Sequence, residues 1–271
     1  MPVDHGSSAS PAIDGGVSET KPRPGAAGPA QTCGEEAPPF PGGETHETAS
    51  AEQAWNVDAL AEPVLRPKFR VWTYEAPGIV LGCGQGALLA AALQRSEGRL
   101  SCLKRESGGG AVLTGPWVVS ASVALPVDHP WAGKVVESYR PLGELFLPLL
   151  GGLGVAAKVL APGDLARARS ENAIGVADWA CFGGLSPWEV VSPEGRKIVG
   201  LAQRRRRTGI LLVAGTLVNP PDWRMLCDAL GHPEHETALQ RCTKPLAEAL
   251  GREVDALRFA ELLHHTLAAN L

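Results

Sequence analysis

Three consecutive glycines, Gly108-Gly109-Gly110, stand between two runs of strand character, Leu100 to Arg105 on one side and Ala111 to Leu113 with Trp117 to Leu125 on the other. The segment therefore reads as strand, glycine loop, strand. Lys104 and Arg105 immediately precede the loop. Backbone N–H groups freed of side chains can approach an anion closely there, and two cations can neutralise it, which suits a phosphate or a carboxylate. A plain flexible turn explains the glycines equally well on their own. With 32 Gly and 23 Pro against 5% aromatic residues, the chain is loop-rich, and that fits a site built from loops better than a helical bundle.

The surrounding pattern supports an α+β fold: a central mixed or antiparallel sheet flanked by helices, with a helical C-terminal region. Phe69 to Tyr74 alternates like a strand, Ala76-Pro77-Gly78 is a turn, Ile79 to Leu81 is a short buried strand, and Leu88 to Arg95 reads as a short helix. Lys134 to Leu150 carries helical spacing, with Pro141 expected to kink or break it. Val155 to Leu160 is a further strand. Trp188 to Val191, Ser192-Pro193-Glu194-Gly195 and Arg196 to Gln203 form a hairpin, and Gly209 to Leu217 is the next strand. Residues 221–271 are helical, interrupted at Gly231-His232-Pro233 and Pro245. Residues 1–50 are mostly Gly, Pro, Ala, Ser, Thr and Glu and are expected to form an unstructured tail, leaving 51–271 as one domain whose order begins near Trp55.

Charge and cysteine usage exclude several classes. A net charge of -4 gives no footprint for a phosphate backbone, so nucleic acid is not expected as a partner. No apolar run approaches the roughly 20 residues of a membrane span, and the first residues lack the basic and apolar regions of a secretory leader, so none is expected. Six cysteines without C-x-x-C spacing suggest neither a metal site nor a disulfide framework, but reduced thiols in a cytoplasm. A monomer is expected. G-x-S-x-G, H-E-x-x-H and P-loop signatures are missing. Gly82-Cys83-Gly84-Gln85-Gly86-Ala87 fits a dinucleotide fingerprint with Glu106 as ribose contact, but its helix is short and no further βαβ unit follows.

Two side chains could carry chemistry. Lys197, just past the hairpin turn, could hold a fixed charge near a developing oxyanion, although spacing alone favours a solvated lysine. Cys181, in Trp179-Ala180-Cys181-Phe182-Gly183, could be a nucleophile beside that lysine, where the default reading is a buried inert thiol.

Read in order, these segments resemble the biotin and lipoate protein ligase superfamily over most of Trp55 to about Val218. Arg70 to Pro77 with Val80-Leu81-Gly82-Cys83-Gly84-Gln85 is similar to the family's opening strands, which accounts for the dinucleotide-like glycines. Lys104-Arg105-Glu106-Ser107-Gly108-Gly109-Gly110-Ala111-Val112 resembles the loop that in lipoate ligases surrounds the acyl group and the adenylate phosphate. Arg196 to Arg204 resembles the segment of the essential lysine, and Leu212 to Leu217 the closing strand. The resemblance implies Lys197 and Cys181 as catalytic residues. It implies Lys104, Arg105, Ser107, Gly108, Gly109, Gly110, Ala111, Val112, Gly200, Ala202, Gly215 and Thr216 as acyl or adenylate contacts, and no metal ligands.

Two chemistries share this pattern. An ATP-dependent ligase, using Mg, would activate lipoate as an adenylate. A cysteine-dependent octanoyltransferase would take octanoate from acyl carrier protein, and Cys181-Phe182 with Ser186-Pro187-Trp188-Glu189 resembles that branch. Either would modify a lysine of a lipoyl domain or a glycine-cleavage-type carrier protein, for which Arg204 to Arg207 offers docking charge. A catalytically weak protein of the same fold that binds lipoate or a carrier domain is the alternative. It is suggested by departures from the pattern: Thr114-Gly115-Pro116-Trp117 replaces a His-containing pair, Leu201 replaces a small Ser, and Val213-Ala214-Gly215 replaces Gln-His-Gly. Leu201 and Trp117 would shorten an acyl pocket.

Overall fold

The computed structural model describes residues 48–171 and 177–271. Most of the expected tail thus lies outside the described residues. Its last residues do not: Thr48 caps a helix, α1, over Ala49–Asp58, its hydroxyl accepting from the Ala51 N–H at 3.1 Å. Order begins ahead of Trp55.

The strands are β1 (Lys68–Thr73), β2 (Gly78–Leu81), β3 (Ser101–Lys104), β4 (Val112–Thr114), β5 (Val118–Leu125), β6 (Lys158–Val159), β7 (Val190–Val191), β8 (Lys197–Arg206) and β9 (Gly209–Leu217). Six of them form an antiparallel sheet in the order β1-β5-β9-β8-β7-β6. The other three form a small mixed sheet, β3-β2-β4, with β2 and β3 parallel. The chain passes from one sheet to the other twice, between β1 and β2 and between β4 and β5, so the glycine loop between β3 and β4 belongs to the small sheet.

Period-2 alternation in β5 and β9 divides the large sheet into two faces. Val119, Ala121, Val123 and Leu125 of β5 with Ile210, Leu212 and Ala214 of β9 pack against α3 (Arg140–Gly152) and α8 (Ala256–Ala268), burying Leu142, Phe146, Phe259 and Leu263. The opposite face carries Ser120, Ser122, Val213 and Gly215 and meets the small sheet, α2 (Leu89–Arg95), α5 (Trp223–Leu230) and α6 (Glu236–Cys242). This second face is where space remains.

Two expectations are corrected. The helix read over Lys134 to Leu150 starts only at Arg140, because Pro141 sits in its first turn, where the missing N–H costs nothing and the fixed φ suits a start. Val155 to Leu160 pairs only at Lys158–Val159, since its partner β7 is two residues long. The C-terminal region is helical as expected. Gly231, in the left-handed conformation at φ 82°, ends α5, and Pro245 precedes α7 (Leu246–Leu250). No described helix is long and apolar enough to cross a membrane.

Candidate functional site

A cleft with about 510 Å³ of empty space, counting the solvent at its mouth, lies between the two sheets and α1. Its floor is made where β8 and β9 present two glycines to each other, Gly200 opposite Gly215. With no side chains there, the strands leave a bare patch of sheet on which a linear chain can lie. Val80, Val112 and Thr114 of the small sheet, Ala202, Val213 and Phe182 supply mostly apolar walls. Glu52, Gln53 and Asn56 of α1 close the remaining side.

Lys197 is not a solvated lysine. Its side chain is 1% exposed and its ammonium lies 2.7 Å from the carboxylate of Glu189, itself 2% exposed. The same ammonium donates to the Cys181 carbonyl at 2.7 Å and stands 5.9 Å from the centre of the Phe182 ring. The turn at 192–195 brings β7 onto β8 and so sets Glu189 across from the start of β8. Glu189 also accepts from the N–H groups of Ser186 at 2.7 Å and Leu201 at 3.3 Å. Burial pushes the Glu189 carboxyl above its ordinary range, and the adjacent Lys197 ammonium opposes that shift. From the other side, the Lys244 N–H donates to the Lys197 carbonyl at 2.8 Å, tying the C-terminal region to the site.

Cys181 opens a short 3-10 turn over Cys181–Gly183, and its N–H donates to the Ala111 carbonyl at 2.8 Å. The thiol lines the cleft, and its sulfur lies 3.4 Å from where a Cβ on Gly200 would stand. The other thiols of this region face away from such chemistry. Burial pushes Cys242 up to about 11 and, with the carboxylates near it, Cys227 up to about 12.

The glycine loop works differently from the expected anion cradle. Every nitrogen of the Arg105 guanidinium is bonded to a carbonyl: Nε to Gly108 at 3.2 Å, Nη2 to Gly108 at 2.9 Å and Gly110 at 2.8 Å, Nη1 to Val80 at 3.2 Å. Lys104 is exposed, lies beside Gly86 and does not line the cleft. The two cations thus do not converge on one anion, and Arg105 instead shapes the loop. Gly109 has a φ of 95°, which a side chain resists, and a Cβ on Gly110 would come 2.6 Å from the backbone of Trp179 and Ala180. Gln85 ties the same junction, its Oε1 accepting from Gly82 N at 3.1 Å and its Nε2 donating to the Trp179 carbonyl at 2.8 Å. The dinucleotide-like glycines are therefore a brace for the Cys181 loop.

Of the residues singled out in the sequence, Arg105, Ser107, Val112, Cys181, Gly200, Ala202 and Gly215 line the cleft. Lys197 reaches it through Cys181. Gly108, Gly109, Gly110, Ala111 and Thr216 stand behind it. Leu201, opposite Ala214, borders the cleft but packs in the core on the α3 and α8 face rather than into the cleft, and Trp117 does not line it and donates to the Leu113 carbonyl at 3.3 Å. The arginine run is largely engaged within the protein: Arg204 and Arg206 pair with Glu106, and Arg205 donates to the Ala132 and Gly133 carbonyls at 2.6 and 2.8 Å. Glu52, Gln53 and Asn56 are site residues that motif reading passed over, and Glu189, quoted within the Ser186–Glu189 motif, was given no role there. His232, Glu234 and His235 also converge, with possible ligand atoms within 4.8 Å. The Trp179 indole N–H, however, donates to His235 Nδ1 at 2.8 Å, so the neutral ring carries its proton on Nε2 and offers no lone pair towards Glu234.

Residues 47–268 match the lipoyl protein ligase A/B catalytic domain family, and the chain belongs to that family. Octanoyltransferase LipM of Kyrpidia tusciae is 31% identical over 213 residues, covering 76% of each chain. Octanoyltransferase LipM of Brevibacillus brevis is 29% identical over 175 residues, where the match spans 64% of this chain and 62% of the relative. Among solved structures, a bipartite lipoate protein ligase of Thermoplasma acidophilum shares the fold with a TM-score of 0.57 and 19% identity, covering 83% of this chain and 80% of the other. Lipoate-protein ligase A bound with ATP does so with a TM-score of 0.55 and 19% identity, over 79% and 78%.

Proposed function

We propose that this chain is a thioester-type acyltransferase of protein lipoylation, which loads an octanoyl-type group onto Cys181 and passes it to a lysine of a lipoyl domain or a glycine-cleavage-type carrier protein. The observation that carries this reading is the placement of Cys181: its sulfur lies in the cleft over the Gly200–Gly215 floor, and its carbonyl is held by Lys197. In the first step the Cys181 thiolate attacks the carbonyl of an acyl thioester on acyl carrier protein. A new thioester forms, the old C–S bond breaks, and the carrier thiol leaves with a proton. In the second step the acceptor amine attacks the Cys181 thioester, an amide forms, and the thiol is regenerated. Both steps develop negative charge on the carbonyl oxygen. The buried Lys197 ammonium, paired with Glu189 and bonded to the Cys181 carbonyl, supports this reading by setting positive charge behind the nucleophile.

Relatives named octanoyltransferase support this branch, and a T. acidophilum protein of the same fold solved with lipoic acid supports a medium-chain acyl group. A ligase related in fold and solved with its lipoyl domain supports the acceptor. An ATP-dependent ligase would need cations turned towards a triphosphate and its Mg. Arg105 is spent on loop carbonyls and Lys104 lies outside the cleft, so these residues do not fit that group.

The test is the mass of an apo lipoyl domain incubated with the protein and either octanoyl acyl carrier protein or lipoate with ATP. Octanoylation from the carrier protein alone is expected, falling by about a thousandfold or more in Cys181→Ala, as for other lost nucleophiles. Modification that requires ATP and survives Cys181→Ala would establish the ligase chemistry instead. Lipoate binding with no modification under either condition would establish the weak-binder alternative.

A further inference from the structure

One buried side chain beside the Lys197–Glu189 pair stands in a backbone conformation that its size resists. Ser186-Pro187-Trp188-Glu189 is a β-turn, closed by the Glu189 N–H donating to the Ser186 carbonyl at 3.4 Å. Proline suits its second position, but the third has a φ of 67°, the left-handed value that a type II turn normally gives to glycine. Trp188 fills that position and is 8% exposed. Among the described residues Glu97 is the one other non-glycine with positive φ, and it lies in an exposed turn. A left-handed tryptophan persists only where its surroundings over-determine it. Here they do. The Trp188 N–H donates to the Leu160 carbonyl at 2.7 Å, and its own carbonyl sits so close to α3 that a Cβ on Gly143 would come within 2.2 Å of it. Arg140, on the same face of α3, places its guanidinium 5.2 Å from the centre of the indole. The indole itself packs into the core that α3 covers.

We propose that Trp188 is a positioning residue for acyl transfer: clamped by Arg140 and Gly143 of α3, it holds the turn in the shape that aims Glu189 at Lys197. The proposal rests on the acyl-transfer reading and adds to it a residue outside the substrate's reach, since Trp188 does not line the cleft. The aim is exacting. Glu189 Oε2 takes the Ser186 N–H, at the start of the same turn, and the Lys197 ammonium, both at 2.7 Å, while Oε1 takes the Leu201 N–H at 3.3 Å. The φ of Trp188 sets the direction in which the chain enters Glu189, so a turn that relaxes to negative φ swings this carboxylate off the ammonium behind Cys181. Glycine would take the conformation freely but leave the turn unanchored, which accounts for a bulky residue standing there despite the strain.

The experiment follows Cys181 acylation by intact mass at rising concentrations of the octanoyl thioester of N-acetylcysteamine, for the full chain and its variants, each checked for folding by circular dichroism. Trp188→Gly, which removes the clamp and suits the φ, is expected to lower the maximal rate about ten- to a hundredfold, as small misplacements do, with the half-saturating donor concentration unchanged. Trp188→Phe should restore most of the rate, because the indole N–H has no partner among the described residues and phenylalanine keeps an aromatic ring under Arg140. Arg140, 54% exposed, offers a variant that spares the fold: Arg140→Ala should lower the maximal rate about threefold. A maximal rate unchanged in Trp188→Gly or, where that variant does not fold, in Arg140→Ala overturns the positioning role. So does a loss confined to the half-saturating concentration, or a Trp188→Phe variant as slow as Trp188→Gly. Each of these leaves acyl transfer standing. No thioester on Cys181 in the unmodified chain overturns the transfer reading, and the positioning role with it.

Discussion

Two buried glutamates flank the same cleft and differ in what holds them. Glu189, beside Gly200 on the side of the Cys181 sulfur, touches the Lys197 ammonium at 2.7 Å and two backbone N–H groups. Glu52, in the opposite wall, accepts from neutral groups, Tyr74 and Gln53, with Arg105 acting on it only through its charge. Burial raises both carboxyls, but at Glu189 a contacting cation opposes that shift and the carboxylate in turn fixes Lys197. At Glu52 the opposition comes mainly from neutral donors and a distant Arg105, so its state depends more on pH and on what enters the cleft.

The sharpest way to break this comparison is to remove the cation. Lys197→Ala strands the Glu189 charge in a site of low dielectric and is expected to cost about 3–5 kcal/mol of stability in urea unfolding. The paired change Lys197→Met with Glu189→Leu removes both charges and should cost much less, because apolar replacement of a buried pair is often close to neutral. Acyl transfer should be lost in both. If the double variant is as unstable as Lys197→Ala, the pair is no charge anchor and the contrast with Glu52 fails.

Lys197 and Cys181 were legible because each sits in a motif, and the structure explains why spacing alone misjudged the lysine. Its partner Glu189 lies eight positions upstream across the β7–β8 hairpin, and the register of that hairpin is irregular at Val190 and Val191. No count along the chain reveals the pairing. Strands such as Gly209–Leu217 were legible because alternation on a two-faced sheet leaves a period of two. α1 was not, because its buried residues are Ala49, Glu52 and Asn56, which leave no apolar stripe to detect. The same polarity that hid the helix is what gives the cleft its unusual wall. The loop cations were misread for a related reason: sequence places Arg105 beside the glycines but does not show that their carbonyls bind it first.

A pH titration of stability probes Glu52 directly. Burial raises its folded pKa above the ordinary value of 4.5, with Tyr74 and Arg105 opposing. The folded state therefore holds this proton where the unfolded state has released it. That contribution is fully present below pH 4.5 and is lost as pH rises through the raised folded value. Glu52→Gln, which keeps the size and cannot ionise, should flatten this limb of the stability–pH curve, by at most about 1.4 kcal/mol per pH unit. An unchanged curve would mean that the Glu52 carboxyl makes no net contribution to this limb.

The smallest effect belongs to a third carboxylate, Glu106, which is solvent-facing and yet has two cations. It bridges Arg204 and Arg206 at the outer end of β8, 46% exposed, with Arg206 3.2 Å away and 47% exposed. Water and salt screen such a pair, so Arg206→Ala should cost no more than about 1 kcal/mol, and raising salt should erase even that. Arg204 is different, because only 11% of its side chain is exposed and its Nη1 is buried without a partner. Glu106→Ala should therefore exceed Arg206→Ala, since it leaves a mostly buried guanidinium without its counter-charge. Equal losses in the two variants would show that burial does not set the worth of these pairs, and would remove the basis for the large cost expected of Lys197→Ala.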